Sequence, residues 1–235
     1  MSPVAHCNFV NYFAAGATDE AKRRDLMTFF GCLAHAVQYL HEVKIRHRDI
    51  KPENILVKGN KVYLTDFGVS LDWEKLDGST TTKDTAKSLV YCSPEVARCD
   101  KRNSSADIWS LGCVFLEMWT VLNGYSVQNM RQFFKLKTES YRFYQNIPYF
   151  EEWESTLRGD SLLPTTPETW INGMLQEDPH KRGSAKALCM KISHVPTRGK
   201  NRPNPFCGEC CIEEQEGPSS EDDSDSDPLA TTAPV

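Results

Sequence analysis

Two stretches decide how this chain folds: His47-Arg48-Asp49-Ile50-Lys51-Pro52-Glu53-Asn54 and, twelve residues past Asn54, Asp66-Phe67-Gly68. Between them lie two short β-like runs, 55–57 and 61–64, joined by Lys58-Gly59-Asn60, a pattern that predicts a hairpin. The first stretch therefore reads as a loop entering the hairpin and the second as the turn leaving it. Asp49, Lys51 and Asn54 stand at i, i+2 and i+5 and would face Asp66 at the hairpin's end. Two carboxylates, an ammonium and an amide so placed can orient a hydroxyl, neutralise phosphoryl oxygens and hold a hard divalent cation. Any one of these residues alone would be a turn residue; the ordered set carries the reading.

Upstream of the loop, residues 19–43 predict a long amphipathic helix, with Leu26, Phe29, Phe30, Leu33, Val37 and Leu40 on one buried face. Thr18 or Asp19 can cap it. Downstream, residues 69–92 form a polar stretch containing Thr80, Thr81, Thr82 and Thr85, and a loop of that length inside a domain is usually functional. Residues 106–120 are apolar on more than one face (Ile108, Trp109, Leu111, Val114, Phe115, Met118), which predicts a central helix. Further helices are expected at 127–136, 167–176 and 184–192.

The two deciding stretches resemble the protein-kinase signatures H-R-D-L-x-x-x-N and D-F-G, departing only by Ile50 for Leu. The resemblance implies a catalytic base at Asp49, a γ-phosphate-neutralising lysine at Lys51 and Mg²⁺ ligands at Asn54 and Asp66, with ATP as the co-substrate. It extends to Ser93-Pro94-Glu95, to Asp107-Ile108-Trp109-Ser110-Leu111-Gly112 and to Asp178-Pro179-His180-Lys181-Arg182. From these it implies a Glu95–Arg182 pair and an Asp107 that hydrogen-bonds the backbone of the catalytic loop, with His47 as a structural residue. Lys51-Pro52-Glu53-Asn54 is similar to serine/threonine rather than tyrosine kinases. Phe67, Gly68, Ser88 and Tyr91 fall where the family has its activation and substrate segment, and Arg48, before the catalytic Asp, marks kinases that often respond to phosphorylation of that segment. Lys87 stands beside Ser88 in place of the usual glycine. Ser2, Val4 and Leu56 fall at nucleotide-contacting positions. A phosphorylated threonine of the 69–92 stretch would pair with Arg48.

The fold expected from this is mainly α: a protein-kinase C-lobe, a helical bundle with one short β-hairpin, over residues 1–194. Only some 18 residues precede the first long helix, without G-x-G or a V-A-I-K-like strand. The expectation is therefore a chain that starts near the hinge, lacks the N-terminal lobe and has little or no turnover alone. The alternative kept open is a catalytically dead kinase-like binding module.

Residues 195–235 are expected to be mostly disordered. Their last part, 212–235, holds eight acidic residues and no Lys or Arg, which leaves 1–211 at about +3 out of a net charge of −5. That weak basicity argues against a nucleic-acid partner, and no apolar run reaches membrane-spanning length. A protein substrate is expected, with the acidic tail as a possible docking ligand. Nine cysteines without a signal peptide suggest buried thiols and an intracellular address, cytoplasmic or nuclear. The run Cys207-x-x-Cys210-Cys211 lacks the second pair or nearby His that completes a zinc site, and is read as a flexible segment, with metal binding or acylation as the alternatives.

Overall fold

The computed structural model describes residues 7–16, 19–72, 89–158, 166–195, 204–208 and 211. In chain order the elements are β1 (Cys7–Asn8), α1 (Phe9–Gly16), α2 (Glu20–Glu42), β2 (Ile45–Arg46), β3 (Ile55–Lys58), β4 (Lys61–Leu64), β5 (Leu71–Asp72) and α3 (Pro94–Ala97). There follow α4 (Ser105–Leu122), α5 (Val127–Thr138), α6 (Phe150–Arg158), α7 (Thr166–Met174) and α8 (Ala185–Ser193). Helices dominate, as expected, around one small sheet of order β1-β3-β4 and a separate β2-β5 ladder, all antiparallel.

Helix α2 begins where its cap dictates. The Asp19 carboxylate accepts from the Ala21 and Lys22 amides, satisfying two donors that the first turn leaves without partners. All six apolar positions expected on its inner face are buried. That face packs on α4 and α8, so the buried stripe is continuous with the central core.

Helix α4 is buried on nearly every side, as expected of a helix apolar all round. By length and composition it could cross a membrane, but here it is the core of the lobe. Its close approach to α7 depends on Gly112, where a Cβ would come within 2.9 Å of Met174 Cβ. The hairpin forms in the expected place, with Ile55 opposite Leu64 and Lys58 opposite Lys61. Gly59 adopts the left-handed backbone (φ +60°) that its two-residue turn requires.

Three helices were not anticipated: α1, the one-turn α3 and α6. The segment after α8 also departs from expectation: 204–208 and Cys211 are seated on the lobe. Phe206 is fully buried, edge-on to Phe30 (5.9 Å) and Trp170 (5.0 Å). The Asn204 amide donates to the Ile192 carbonyl at 2.7 Å, and the mid-helix Gly31 amide donates to the Phe206 carbonyl at 2.8 Å. Among the described residues past 194, one aromatic side chain thus fills an apolar socket on the lobe.

Candidate active site

The loop between β2 and β3 is anchored from below by α4. Asp107, in its first turn, is buried, and its two oxygens accept the backbone N–H groups of His47 (3.0 Å) and Arg48 (2.8 Å). The His41 ring, at the end of α2, lies 3.0 Å from the same carboxylate. This anchorage holds Arg48 in a left-handed conformation (φ +70°) that a non-glycine residue seldom adopts. The expectation that Asp107 grips the loop's backbone matches this geometry. Nothing local to His41 in the sequence marks it as a third partner, since it comes from 66 residues away.

Held this way, Asp49 becomes a hub. Its Oδ2 accepts from Lys51 Nζ at 2.8 Å and from Asn54 Nδ2 at 3.0 Å, and its carbonyl accepts from Asn54 Nδ2 at 2.9 Å. The Asn54 amide nitrogen is therefore engaged twice by Asp49, and its side-chain oxygen is the atom that could hold a cation. Asn54 is also tied to the far end of the hairpin. Its carbonyl accepts from both the amide (2.9 Å) and the hydroxyl (3.1 Å) of Thr65, the residue directly before Asp66.

Asp66 is left-handed (φ 63°, ψ 65°) and exposed. Thr65 is the positioning residue that sequence reasoning missed, and its place between β4 and Asp66 was the available signal. Phe67 packs 5.0 Å from the His47 ring, whose Nε2–H donates to the Thr65 carbonyl. Burial lowers the His47 pKa, which favours the neutral ring, and its Nδ1 has no partner among the described residues.

The other site residues expected from sequence are placed as follows. Leu56 is half-buried on the face of β3 opposite the core residues Ile55 and Val57, and is paired across the sheet with Tyr63. Gly68 follows Asp66 closely enough that a Cβ would sit 3.3 Å from Asp66 Oδ1. Tyr91 is inside the lobe rather than at the surface. Its hydroxyl lies 2.9 Å from Glu117 Oε1 and accepts from Arg131 Nη2 at 3.0 Å. Ser2, Val4, Ser88 and the four threonines lie outside the described residues.

Glu95 and Arg182 form a buried two-pronged pair at 2.8 Å for each prong. The remaining guanidinium donors go to the carbonyls of Gln176, Ser105 and Glu177, with Trp109 stacked 5.0 Å away. Among the described residues no three His, Cys, Asp or Glu side chains converge as a self-sufficient metal cage.

The family model "Protein kinase domain" matches residues 6–192. The chain belongs to the protein kinase family. Among relatives of this kinase chain, the dual specificity protein kinase zak2 of Dictyostelium discoideum is 35% identical over 191 residues, 78% of this chain and 26% of that protein. Human serine/threonine-protein kinase Sgk1 is 32% identical over 165 residues, 69% of this chain and 34% of its own. The serine/threonine-protein kinase nekl-2 of Caenorhabditis elegans is 31% identical over 109 residues, 46% of this chain and 30% of its own. The chain thus spans about a quarter to a third of the length of these curated relatives.

Proposed function

We propose that this chain forms the catalytic-loop part of a serine/threonine protein kinase, which moves the γ-phosphoryl group of ATP to a Ser or Thr hydroxyl of a protein. The observation that carries the reading is the hub at Asp49. One carboxylate holds an ammonium and an amide within 3.0 Å while Asp107 pins the backbone beneath it. In this reading Asp49 accepts a hydrogen bond from the acceptor hydroxyl and aims its oxygen at the γ-phosphorus. Lys51, already beside that carboxylate, balances the charge on the moving group. As the new P–O bond forms, the bond to the bridging oxygen of ADP breaks and the hydroxyl proton leaves by way of Asp49.

The Asn54 side-chain oxygen and the exposed Asp66 carboxylate are hard ligands of the type Mg²⁺ selects, and these two residues would hold it. Bound there, the ion supplies neutralisation of the phosphate oxygens. Leu56 offers an apolar floor for the adenine. The acceptor class rests on Lys51-Pro52-Glu53-Asn54 and on the serine/threonine relatives.

The test is transfer of label from ATP to mixed Ser, Thr and Tyr peptides by the natural full-length product. Asp49→Asn should lower turnover by about 10²–10⁴-fold, the contribution usual for a positioned base, with nucleotide affinity nearly unchanged. Wild-type turnover in that variant would overturn the assignment of Asp49. Labelling of tyrosine alone would overturn the acceptor class. A wild-type product that binds Mg-ATP without transferring phosphate would instead support a binding module.

A further inference from the structure

The Cys207-x-x-Cys210-Cys211 run has no part in the phosphate-transfer chemistry, yet its segment is one of the more deliberately seated parts of the lobe. Besides the Phe206 plug and the Asn204 hydrogen bond, it meets α2 through two glycines, one on each side of the contact. A Cβ on Gly31 would stand 2.5 Å from the Phe206 carbonyl oxygen and 3.2 Å from Cys207 Sγ. A Cβ on Gly208 would stand 3.0 Å from Cys32 Sγ. Two missing side chains thus let helix and segment approach to backbone distance at the place where their sulfurs meet. At that place Cys211 Sγ lies 3.9 Å from Cys32 Sγ, between residues 179 apart in the chain, both buried.

We propose that Cys32 and Cys211 are a redox-active pair that closes to a disulfide under hydrogen peroxide and staples the C-terminal segment to α2. One sulfur, as thiolate, attacks a peroxide oxygen; the O–O bond breaks, a sulfenic acid forms and water leaves. The second sulfur then attacks the sulfenyl sulfur, the S–S bond forms and a second water departs. Two thiols have lost two protons and two electrons, and one peroxide has become two waters.

The sulfurs need to approach by about 2 Å, a movement within reach of side-chain rotation at Cys211. That residue sits at the end of the seated segment, in a turn where its amide donates to the Gly208 carbonyl. Because the bond would close a very long loop, it would restrict the unfolded chain strongly and lock Phe206 in its socket.

The experiment treats the reduced chain with graded hydrogen peroxide, blocks residual thiols, and maps the peptides by mass. Expected are a loss of two hydrogen masses, a cross-link joining the Cys32 and Cys211 peptides, and full reversal by dithiothreitol. The thermal midpoint should rise on the order of 5 °C. Cys32→Ser and Cys211→Ser should each abolish the cross-link and the rise. Mapping Cys211 to any other cysteine, or finding only sulfinic and sulfonic products, would overturn the pairing. Stoichiometric zinc in the reduced protein, released by peroxide, would replace it with a metal site. A correct cross-link that leaves the midpoint unmoved would refute the staple.

Discussion

At Asp107 one carboxylate does work that no other side chain could take over. It accepts from two backbone N–H donors at once, those of His47 and Arg48. An asparagine there keeps one oxygen but turns an NH₂ toward the second donor, so one peptide N–H must lose its partner and two donors must confront each other. We therefore expect Asp107→Asn to be nearly as damaging as Asp107→Ala, each on the order of 3 kcal/mol, the scale of buried donors left unsatisfied beside a charged acceptor's loss. Urea unfolding of the three proteins checks this, and an Asn variant as stable as the wild type would remove Asp107 from its anchoring role. The same substitutions should release the strained Arg48 backbone and so reach Asp49 indirectly. In the full-length product that predicts lower turnover with little change in nucleotide affinity.

At the scale of elements, the Glu95–Arg182 pair joins α3 to the connection before α8, and its burial sets its energetics. Breaking a buried pair from one side strands a charge, so Arg182→Met or Glu95→Leu alone should cost about 3–5 kcal/mol. The double variant should cost clearly less than the two singles together. It should not regain wild-type stability, because the carbonyls of Gln176, Ser105 and Glu177 lose their donor in either background. Additive singles in chemical denaturation would contradict this coupling.

The pair was legible from sequence because each partner sits in its own short motif. Helix α2 was legible because its apolar spacing repeats over four or more turns, and α4 because its apolar run is long enough to need burial on every side. What escaped is different in kind. Helix α1, read from FVNYFAAG, is short and apolar all round, so no period stands out. Helix α6 does carry a helical stripe at Phe150, Trp153, Glu154 and Leu157, but a glutamate occupies one of its inner positions and blurs the pattern. The seating of 204–208 depends on Phe206 meeting Phe30 and Trp170, residues distant in sequence that no local pattern links to it. At the candidate site the motif residues were visible and their supports, His41 and Thr65, were not, since supports are defined by distance in space.

For the molecule as a whole, two buried glutamates make stability depend on pH in an unusual direction. Glu117 is pushed up to about 7 by burial, against the opposing pull of Arg131 and the Tyr91 hydroxyl. Glu154 is also pushed up to about 7, by burial first, and with Glu168 raising it further while Asn172 and Arg158 pull it down. Its Oε2 accepts from Asn172 at 3.0 Å, whereas its Oε1 has no hydrogen-bond partner among the described residues. In the unfolded chain such a group titrates near its ordinary value of 4.5.

Between roughly 4.5 and 7 the folded protein therefore binds more protons at Glu154 than the unfolded one does. Stability contributed by the protonated form is complete below the lower value and is lost as pH rises through the upper one. Glu154→Gln, which stays neutral and can still accept from Asn172, should remove that loss. The decisive quantity is the difference in unfolding free energy, variant minus wild type, followed by urea denaturation from pH 5 to pH 8. Differencing cancels the carboxylates that the two proteins share. The difference should rise through the window and level off above it, whereas a flat one would mean that Glu154 is ionised in the folded lobe across the whole range, with Arg158 and Asn172 sufficient to hold its charge.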